Sequence, residues 1–269
     1  MRADVLLVLK GLAPSRQKAQ ELIRAKSAFC DGIPIKKPSQ ELPETKVLHV
    51  DGCADFLRYV GRGGLKLEGA FKTFPISVEE CVCLDLGAST GGFTDCLLQN
   101  GAACVYAVDV GHTQLAEKLQ KDLRVVNLEG INLRDLSEEL IPQPVDFLCT
   151  DVSFISLSHV FPVAAKFLKQ GGQAVFLIKP QFEAGKSLVG KNGIVKSRAA
   201  HRDVLVHILS LCEKNGFSVY GLTPSPICGA DGNIEYLLFF GKGGPTFCYT
   251  DAQLKALVAQ AFDSAKNNK

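Results

Sequence analysis

The sequence predicts an α/β chain, a Rossmann-like doubly wound sheet preceded by a small α+β domain. Three observations point there. Val82 to Leu86 reads as a short buried strand, Gly87 to Gly92 as a loop of small residues, and Phe93, Leu97 and Leu98 as one face of a helix. Strand, glycine-rich turn and helix form the opening unit of a doubly wound sheet, whose ligands sit at the carboxyl ends of the strands. Further strand-like runs then recur with helical stretches between them: Val105–Asp109, Arg124–Leu128, Val145–Thr150 and Gln173–Ile178. Finally, the charge balance changes along the chain. Residues 1–64 carry 11 Lys and Arg against 7 Asp and Glu, and the remainder 19 against 21. A small basic module ahead of a near-neutral domain suggests a polyanionic partner.

In chain order, residues 2–10 read as a helix and Gly11 to Pro14 as a turn. Ser15 is placed to cap a second helix, Arg16 to Lys26, with Ala19, Leu22 and Ile23 on one face. Ala28–Cys30 and Ile33–Ile35 read as short strands around Asp31-Gly32, a hairpin turn signal, and Val47–Val50 as a further strand. Phe56 to Gly64 is a glycine-containing bend, and Leu65 to Phe74 a helix. Gln114–Lys121 and Ser153–Leu168 are expected to be mostly helical. Residues 182–198 form a polar loop, read equally as a substrate cover or as a surface loop. Ala199–Lys214 is a helix, Phe217–Thr223 and Ile234–Phe240 pair as a closing hairpin, and Asp251–Lys269 is a final amphipathic helix.

Several function classes are excluded. The loop follows Asp-x-Gly-x-x-x-Gly-Gly, not the dinucleotide Gly-x-Gly-x-x-Gly, and no Gly-Lys-Ser/Thr forms a phosphate loop. The ten cysteines form no Cys-x-x-Cys pair, so a zinc site is not expected and reduced core thiols are. No apolar run reaches the ~18 residues of a membrane span. The short Val5–Leu9 run is wrongly flanked for a signal peptide, so a cytoplasmic protein without stable membrane association is expected.

The strand ends carry the chemistry. Asp85 at the first strand suits an ammonium group, and Asp109 at the second suits ribose hydroxyls. A ligand with an amino acid at one end and a nucleoside at the other is S-adenosylmethionine. Its binding residues are expected to be Asp85, Gly87, Ala88, Ser89, Thr90, Gly91, Gly92, Phe93 and Asp109, with Asn132 near the adenosine. Asp151 and Lys179 end two neighbouring strands above the same sheet edge. Opposite charges at the mouths of buried strands read as a reactive pair. Methyl transfer to a hydroxyl needs alignment, loss of the hydroxyl proton and positive charge beside the developing alkoxide. A lysine flanked by acids can supply the last two. The fourth strand ends in Thr150-Asp-Val-Ser153, with no Asn-Pro-Pro-Tyr-type motif for base nitrogens, and no cysteine is placed as a nucleophile beside a proline.

Two resemblances add to this reading. Ser15-Arg16, Lys18-Ala19, the helix through Ile23 and the Asp31-Gly32 hairpin with its basic continuation resemble the αL RNA-binding module of a small-subunit ribosomal protein. That resemblance implies phosphate contacts by Arg16, Lys18, Lys26, Lys36 and Lys37, which set position and affinity rather than sequence; Arg62 adds charge at the junction. The set Lys66, Asp151, Lys179 and Glu235 is similar to the Lys-Asp-Lys-Glu tetrad of FtsJ-type ribose 2′-O-methyltransferases. By itself Lys66 would be read as a solvated helix lysine. Arg62-Gly-Gly-Leu-Lys66, Asp85 to Thr94, Asp151-Val-Ser-Phe-Ile155 and Ile178 to Glu183 make the whole chain similar to the TlyA, or hemolysin-like, family. Tyr59-Val-Gly61 departs from the polar residue many relatives have there.

The resemblance implies an enzyme that methylates ribosomal RNA or ribosomal subunits at cytidine 2′-hydroxyls. In it Lys179 activates the hydroxyl, Asp151 orients that lysine, and Lys66 and Glu235 position the ribose. The implied domains are an RNA-binding domain at 1–60, a linker at 61–64, a methyltransferase domain at 65–245 and a C-terminal helix and tail at 246–269. The alternatives are a membrane-active hemolysin, which the lack of a membrane-length stretch opposes, and a non-catalytic ribosome-assembly factor, which the intact tetrad opposes. Nothing in the residues sets the oligomeric state.

Overall fold

A computed structural model describes residues 1–24, 26–50, 58–229 and 232–267. Phe56 and Leu57 of the expected bend, and Ala230 and Asp231 of the loop before the last strand, lie outside the described residues, as do Ala25, Asn268 and Lys269 at the expected helix ends. The chain divides into two compact units, Met1–Val60 and Gly61–Lys269.

In the first unit, helices α1 (Ala3–Leu9) and α2 (Arg16–Arg24) precede strands β1 (Ala28–Cys30), β2 (Ile33–Pro34) and β3 (Leu48–Val50). The strands form an antiparallel sheet in the order β2-β1-β3. Ser15 Oγ accepts from the Lys18 backbone N–H at 3.2 Å, the expected start of α2. Asp31 and Gly32 both take positive φ, +48° and +79°, the backbone a two-residue hairpin turn of this hand requires. Leu6, Leu7, Leu22, Ile23 and Ile35 fill a small core. Beside it lies Asp4, fully buried, whose carboxylate accepts from Arg2 at 2.9 and 3.0 Å, Gln20 at 2.8 Å and Arg16 at 3.3 Å. Those donors, Arg2 foremost, hold its carboxyl well below the usual carboxylate range despite burial.

The second unit is built on a seven-stranded sheet of order β6-β5-β4-β7-β8-β10-β9. Its strands are β4 (Val82–Leu86), β5 (Cys104–Asp109), β6 (Val125–Glu129), β7 (Val145–Thr150), β8 (Leu168–Ile178), β9 (Ser218–Pro224) and β10 (Tyr236–Gly241). The first five in this list pair in parallel, and the closing β9–β10 hairpin joins β8 antiparallel. The chain runs outward from β4 to β6 and then returns to the other side of β4, so the switch point falls between β4 and β7. This is the Rossmann-like sheet the sequence predicts.

Helices α3 (Gly63–Thr73), α4 (Gly92–Gln99), α5 (Glu117–Gln120), α6 (Phe161–Phe167), α7 (Pro180–Glu183), α8 (Arg198–Lys214) and α9 (Asp251–Asn267) complete the unit. Alternation along β10 divides the aromatic core between the two faces. Phe240 packs on Phe176 and Phe161 at 4.7 and 5.5 Å, whereas Phe239 faces the other way, 5.2 Å from Phe74 beyond α3.

Some element boundaries differ from expectation. The helix expected over 114–121 is a single turn, because Glu129 accepts from the Gln114 and Leu115 N–H groups at 2.6 and 2.9 Å and holds them out of a helix. That expected over 153–168 starts only at Phe161. Ser153 to Ser156 are non-helical, Phe154 has φ +63°, and Glu183 accepts from Ser156 Oγ and Leu157 N–H, each at 2.8 Å. Leu168 already belongs to β8. Pro180 opens α7, where its missing N–H costs nothing. The described cysteines form no disulfide, and no described helix is long and apolar enough to cross a membrane.

Candidate active site

Two adjoining cavities open at the carboxyl ends of β4, β5, β7 and β8, with volumes of ≈ 370 and ≈ 400 Å³. Gly87, Ser89, Asp151, Ser153 and Phe154 line both.

The first cavity holds the charged set. Asp151 lies one residue beyond β7, its backbone N–H on the Leu86 carbonyl at 3.3 Å. Its Oδ1 pairs with Lys179 Nζ at 2.7 Å and its Oδ2 with Lys66 Nζ at 3.3 Å. Lys66, on α3, also meets Glu235 Oε2 at 2.8 Å. The four groups thus form one chain, Lys179–Asp151–Lys66–Glu235, drawn from four elements. Glu235 is 2 % exposed, both lysines 9 % and Asp151 20 %. Burial works against the Lys66 charge, but Asp151 and Glu235 outweigh it and its pKa is raised above the ordinary lysine value. Lys66 is therefore a fixed cation, and the solvated reading of an isolated helix lysine does not hold for it.

Gly87, Ala88, Ser89, Thr90, Gly92 and Phe93 line this cavity. Gly91 does not. Its φ of +92° turns the chain into α4, and an added Cβ would run into Leu119. Opposite the loop stand Ser153, Phe154, Gln181 and Phe182. Sequence reasoning missed these four as site residues. Only the position of Ser153, two residues past a strand-end acid, could have marked it. Phe154 is 91 % exposed, and its ring lies 5.0 Å from that of Phe182.

The second cavity is more apolar, with Val108, Ile131, Leu133 and Ile155 around the polar Asp109, Gln114 and Asn132. Asp109 Oδ2 accepts from the Ser89 N–H at 2.8 Å and its Oδ1 from the Gly111 N–H at 2.7 Å. Each carboxylate oxygen keeps a further lone pair. Asn132 caps the 3₁₀ turn Leu133–Asp135 by accepting from the Arg134 N–H at 3.0 Å.

Asp85 requires correction. Expected to meet an ammonium group, it lines neither cavity and is fully buried. It sits inside β4 rather than beyond it, with Oδ2 accepting from Thr94 Oγ1 at 2.7 Å, which ties strand to helix. Burial pushes its carboxyl up to about 7.

The basic residues also divide. Lys36 and Lys37 are exposed and carry no ion pair among the described residues, and Lys26 is exposed just after α2. Lys18 is buried and paired with Glu21 at 3.3 Å, so it does not present its charge to a phosphate. Arg16 shares Asp4 but keeps 58 % of its side chain exposed. Arg62 donates to the Cys228 carbonyl at 3.2 Å and so serves the second unit internally. Among the described residues, no cluster of His, Cys, Asp or Glu could hold a metal ion.

The family described as FtsJ-like methyltransferase matches residues 59–242, and the S4 domain matches residues 1–48. The chain is 44 % identical over 239 residues to the 16S/23S rRNA (cytidine-2′-O)-methyltransferase TlyA of Mycobacterium tuberculosis, covering 88 % of each. It is 43 % identical over 241 residues to Hemolysin A of Brachyspira hyodysenteriae, covering 89 % of this chain and 99 % of that one. A solved structure from Streptococcus thermophilus, named as a hemolysin, is similar at 43 % identity with a TM-score of 0.80, covering 100 % of this chain and 98 % of that one.

Proposed function

The chain belongs to the FtsJ-like methyltransferase family, and from that premise we propose that it methylates a ribose 2′-hydroxyl of ribosomal RNA, at a cytidine, with S-adenosylmethionine as cofactor. The observation that carries this is the buried chain of alternating charges, Lys179–Asp151–Lys66–Glu235, beside the glycine loop. Its TlyA relative from Mycobacterium tuberculosis is named for the same reaction.

The residues present fit the cofactor. The Gly87–Gly92 loop packs so closely on the start of α3 that a Cβ on Gly61 would come within 2.6 Å of Thr90 Oγ1 and one on Gly92 within 3.0 Å of the Gly64 nitrogen. Gly87, Ala88, Ser89, Thr90 and Gly92 line the first cavity, small residues whose backbone a ligand can approach closely. The second cavity offers an apolar slot with Asp109 and Asn132 at its polar side, the donor set for a nucleoside. Gly87, Ala88, Ser89, Thr90, Gly92, Phe93, Asp109 and Asn132 would hold S-adenosylmethionine, and Asp85 and Gly91 would shape the loop from beneath. When bound, the cofactor supplies an electrophilic methyl group.

The chain's own residues supply the rest. Lys179 takes the proton from the ribose hydroxyl, a service worth about 10²- to 10⁴-fold in rate. Asp151 fixes the direction of that lysine. Lys66, kept charged by Asp151 and Glu235, pairs with Asp151 and places positive charge beside the developing alkoxide. Gln181 lines the first cavity, and its Oε1, which has no hydrogen-bond partner among the described residues, is an acceptor for the incoming nucleotide once the side chain turns to the opening. The exposed Phe154 ring offers a face on which an unstacked base can rest.

Residues 1–60 act as the RNA-binding domain, with Lys26, Lys36, Lys37 and the exposed part of Arg16 as its phosphate contacts, and residues 65–245 as the catalytic domain. Such a substrate puts the protein in the cytoplasm, bound to ribosomal subunits. The test is transfer of labelled methyl from S-adenosylmethionine to purified subunits lacking the modification, followed by nuclease digestion. Label on cytidine ribose is expected. Label on a base would keep the fold and cofactor but overturn the catalytic assignment.

A further inference from the structure

Lys179 Nζ is surrounded by three oxygens: Asp151 Oδ1 at 2.7 Å, Ser153 Oγ at 2.8 Å and the Asp151 carbonyl at 3.3 Å. A lysine ammonium has three N–H donors and no acceptor; here it donates to Ser153 Oγ and the Asp151 carbonyl, and Asp151 Oδ1 stands beside the nitrogen as an ion pair. The three oxygens differ in what they can do next. Ionised carboxylate and carbonyl oxygens only accept, whereas a serine hydroxyl accepts one hydrogen bond and donates its own proton to another partner. A proton passed to Asp151 Oδ1 would go no further, because that oxygen is shut off from solvent and the other is held by Lys66 at 3.3 Å. Ser153 is exposed and lines both cavities, so its O–H reaches water.

The hydroxyl is also held in place. Phe154 takes a left-handed backbone, φ +63°, immediately after it, and Glu183 pins the same turn through Ser156 and Leu157, each at 2.8 Å. A bulky residue held at positive φ is strained and persists only where its surroundings impose it. Here the surroundings fix the oxygen that Lys179 touches.

We propose that Ser153 is a positioning residue for methyl transfer, and that the proton taken up by Lys179 leaves the site through its hydroxyl. This rests on the reading of Lys179 as the base. Methylation of a hydroxyl breaks the ribose O–H bond and the bond from methyl to its donor, forms the C–O bond, and releases one proton per turnover. Lys179 binds that proton on its nitrogen lone pair. One N–H of the resulting ammonium then passes to Ser153 Oγ as the Ser153 O–H passes to a water in the cavity. The amine and the hydroxyl are both restored, and no further reactant is consumed. The charged groups facing the pair are Asp151 from the end of β7, Lys66 from α3 and Glu235 beside β10.

The test compares Ser153→Ala and Ser153→Thr with wild type in the full-length protein. Ser153→Ala lowers the methylation rate about tenfold, a part of the whole general-base effect, with cofactor Kd and KM for ribosomal subunits within about twofold. Threonine keeps the hydroxyl and restores the rate. Added imidazole, a small proton carrier, accelerates the alanine variant in proportion to its concentration and leaves wild type unchanged. An undiminished rate in Ser153→Ala overturns the proposal, and so does a loss that neither threonine nor imidazole repairs. A second measurement needs no turnover. In protein labelled with ¹⁵N-lysine, with the Lys179 signal assigned by Lys179→Arg, exchange of the Lys179 ammonium protons with water slows severalfold in Ser153→Ala. Unchanged exchange overturns the proposal whatever the substrate proves to be. A wild type that methylates no ribosomal RNA would instead break the functional reading, and the exchange measurement would then decide Ser153 alone.

Discussion

Lysines do opposite work in the two units. In the first, Lys36 and Lys37 stand exposed on a segment after the β1–β2 hairpin, where water screens them and a phosphate backbone can replace that water. The charges buried there are Asp4, which is closed off by two arginines and a glutamine, and Lys18, which is paired on its own helix with Glu21. In the second unit the charge is internal. Lys66 and Lys179 are 9 % exposed and alternate with Asp151 and Glu235. An exposed lysine is a replaceable source of attraction, whereas a buried one is bound into a set whose members cannot be removed singly. The same residue type thus reads as affinity in one unit and as chemistry in the other, and burial makes the difference.

The sharpest way to break this contrast is Asp151→Ala. It leaves two buried lysines facing each other without their shared acid. Methylation should fall by about 10³-fold or more, and the second unit should lose about 3–5 kcal/mol of stability, the cost of breaking a buried pair. Denaturant unfolding beside the methyl-transfer assay checks both. A rate within tenfold of wild type would mean that the linked charges are only structural.

A smaller effect is expected in the first unit. Lys36→Ala and Lys37→Ala should each weaken RNA binding and reduce the slope of log K against log salt by about 1, leaving the rate at saturating RNA unchanged. Lys18→Ala should leave that slope unaltered, because Lys18 is already paired with Glu21. A salt titration with a fluorescent rRNA fragment separates them, and a full unit of slope lost in Lys18→Ala would show that its pair opens on binding.

At Asp85 the effect is on stability alone. Its folded carboxyl titrates at about 7, above the ~3.9 of an unfolded aspartate. The folded state therefore binds a proton more tightly, and wild-type stability falls as pH rises from about 4 to about 7, by at most roughly 4 kcal/mol from this group. Asp85→Asn can still accept from Thr94 and should flatten that dependence. Thermal unfolding at pH 5 and pH 8 reads it, and an unchanged slope would move the titration to another group.

Much of the fold was legible because the signals were local. Apolar runs with glycine and acid at their ends gave most strands near their observed limits, though β8 starts at Leu168 rather than Gln173, and Ser15 and Asp31-Gly32 act as their types suggest. The site was legible where a charge falls just past a strand, as with Asp151 and Lys179. Asp85 misled because its position differs by so little. One residue before the end of β4, rather than one after, the pleat turns its side chain into the interior under α4. Lys66 and Glu235 carried no local signal, since neither residue means anything without its distant partner. Ser153 and Phe154 were hidden for another reason, because what matters there is a left-handed backbone that their residue types do not announce.

The account stands most directly on Lys179→Ala. Cofactor affinity by calorimetry and single-turnover methylation of unmodified ribosomal subunits should be measured on the same preparation. Turnover should fall by about 10³-fold or more while cofactor Kd stays within about tenfold, because the lysine acts on the hydroxyl and not on the cofactor. Retained turnover, or a loss of cofactor binding that parallels the loss of rate, would contradict it.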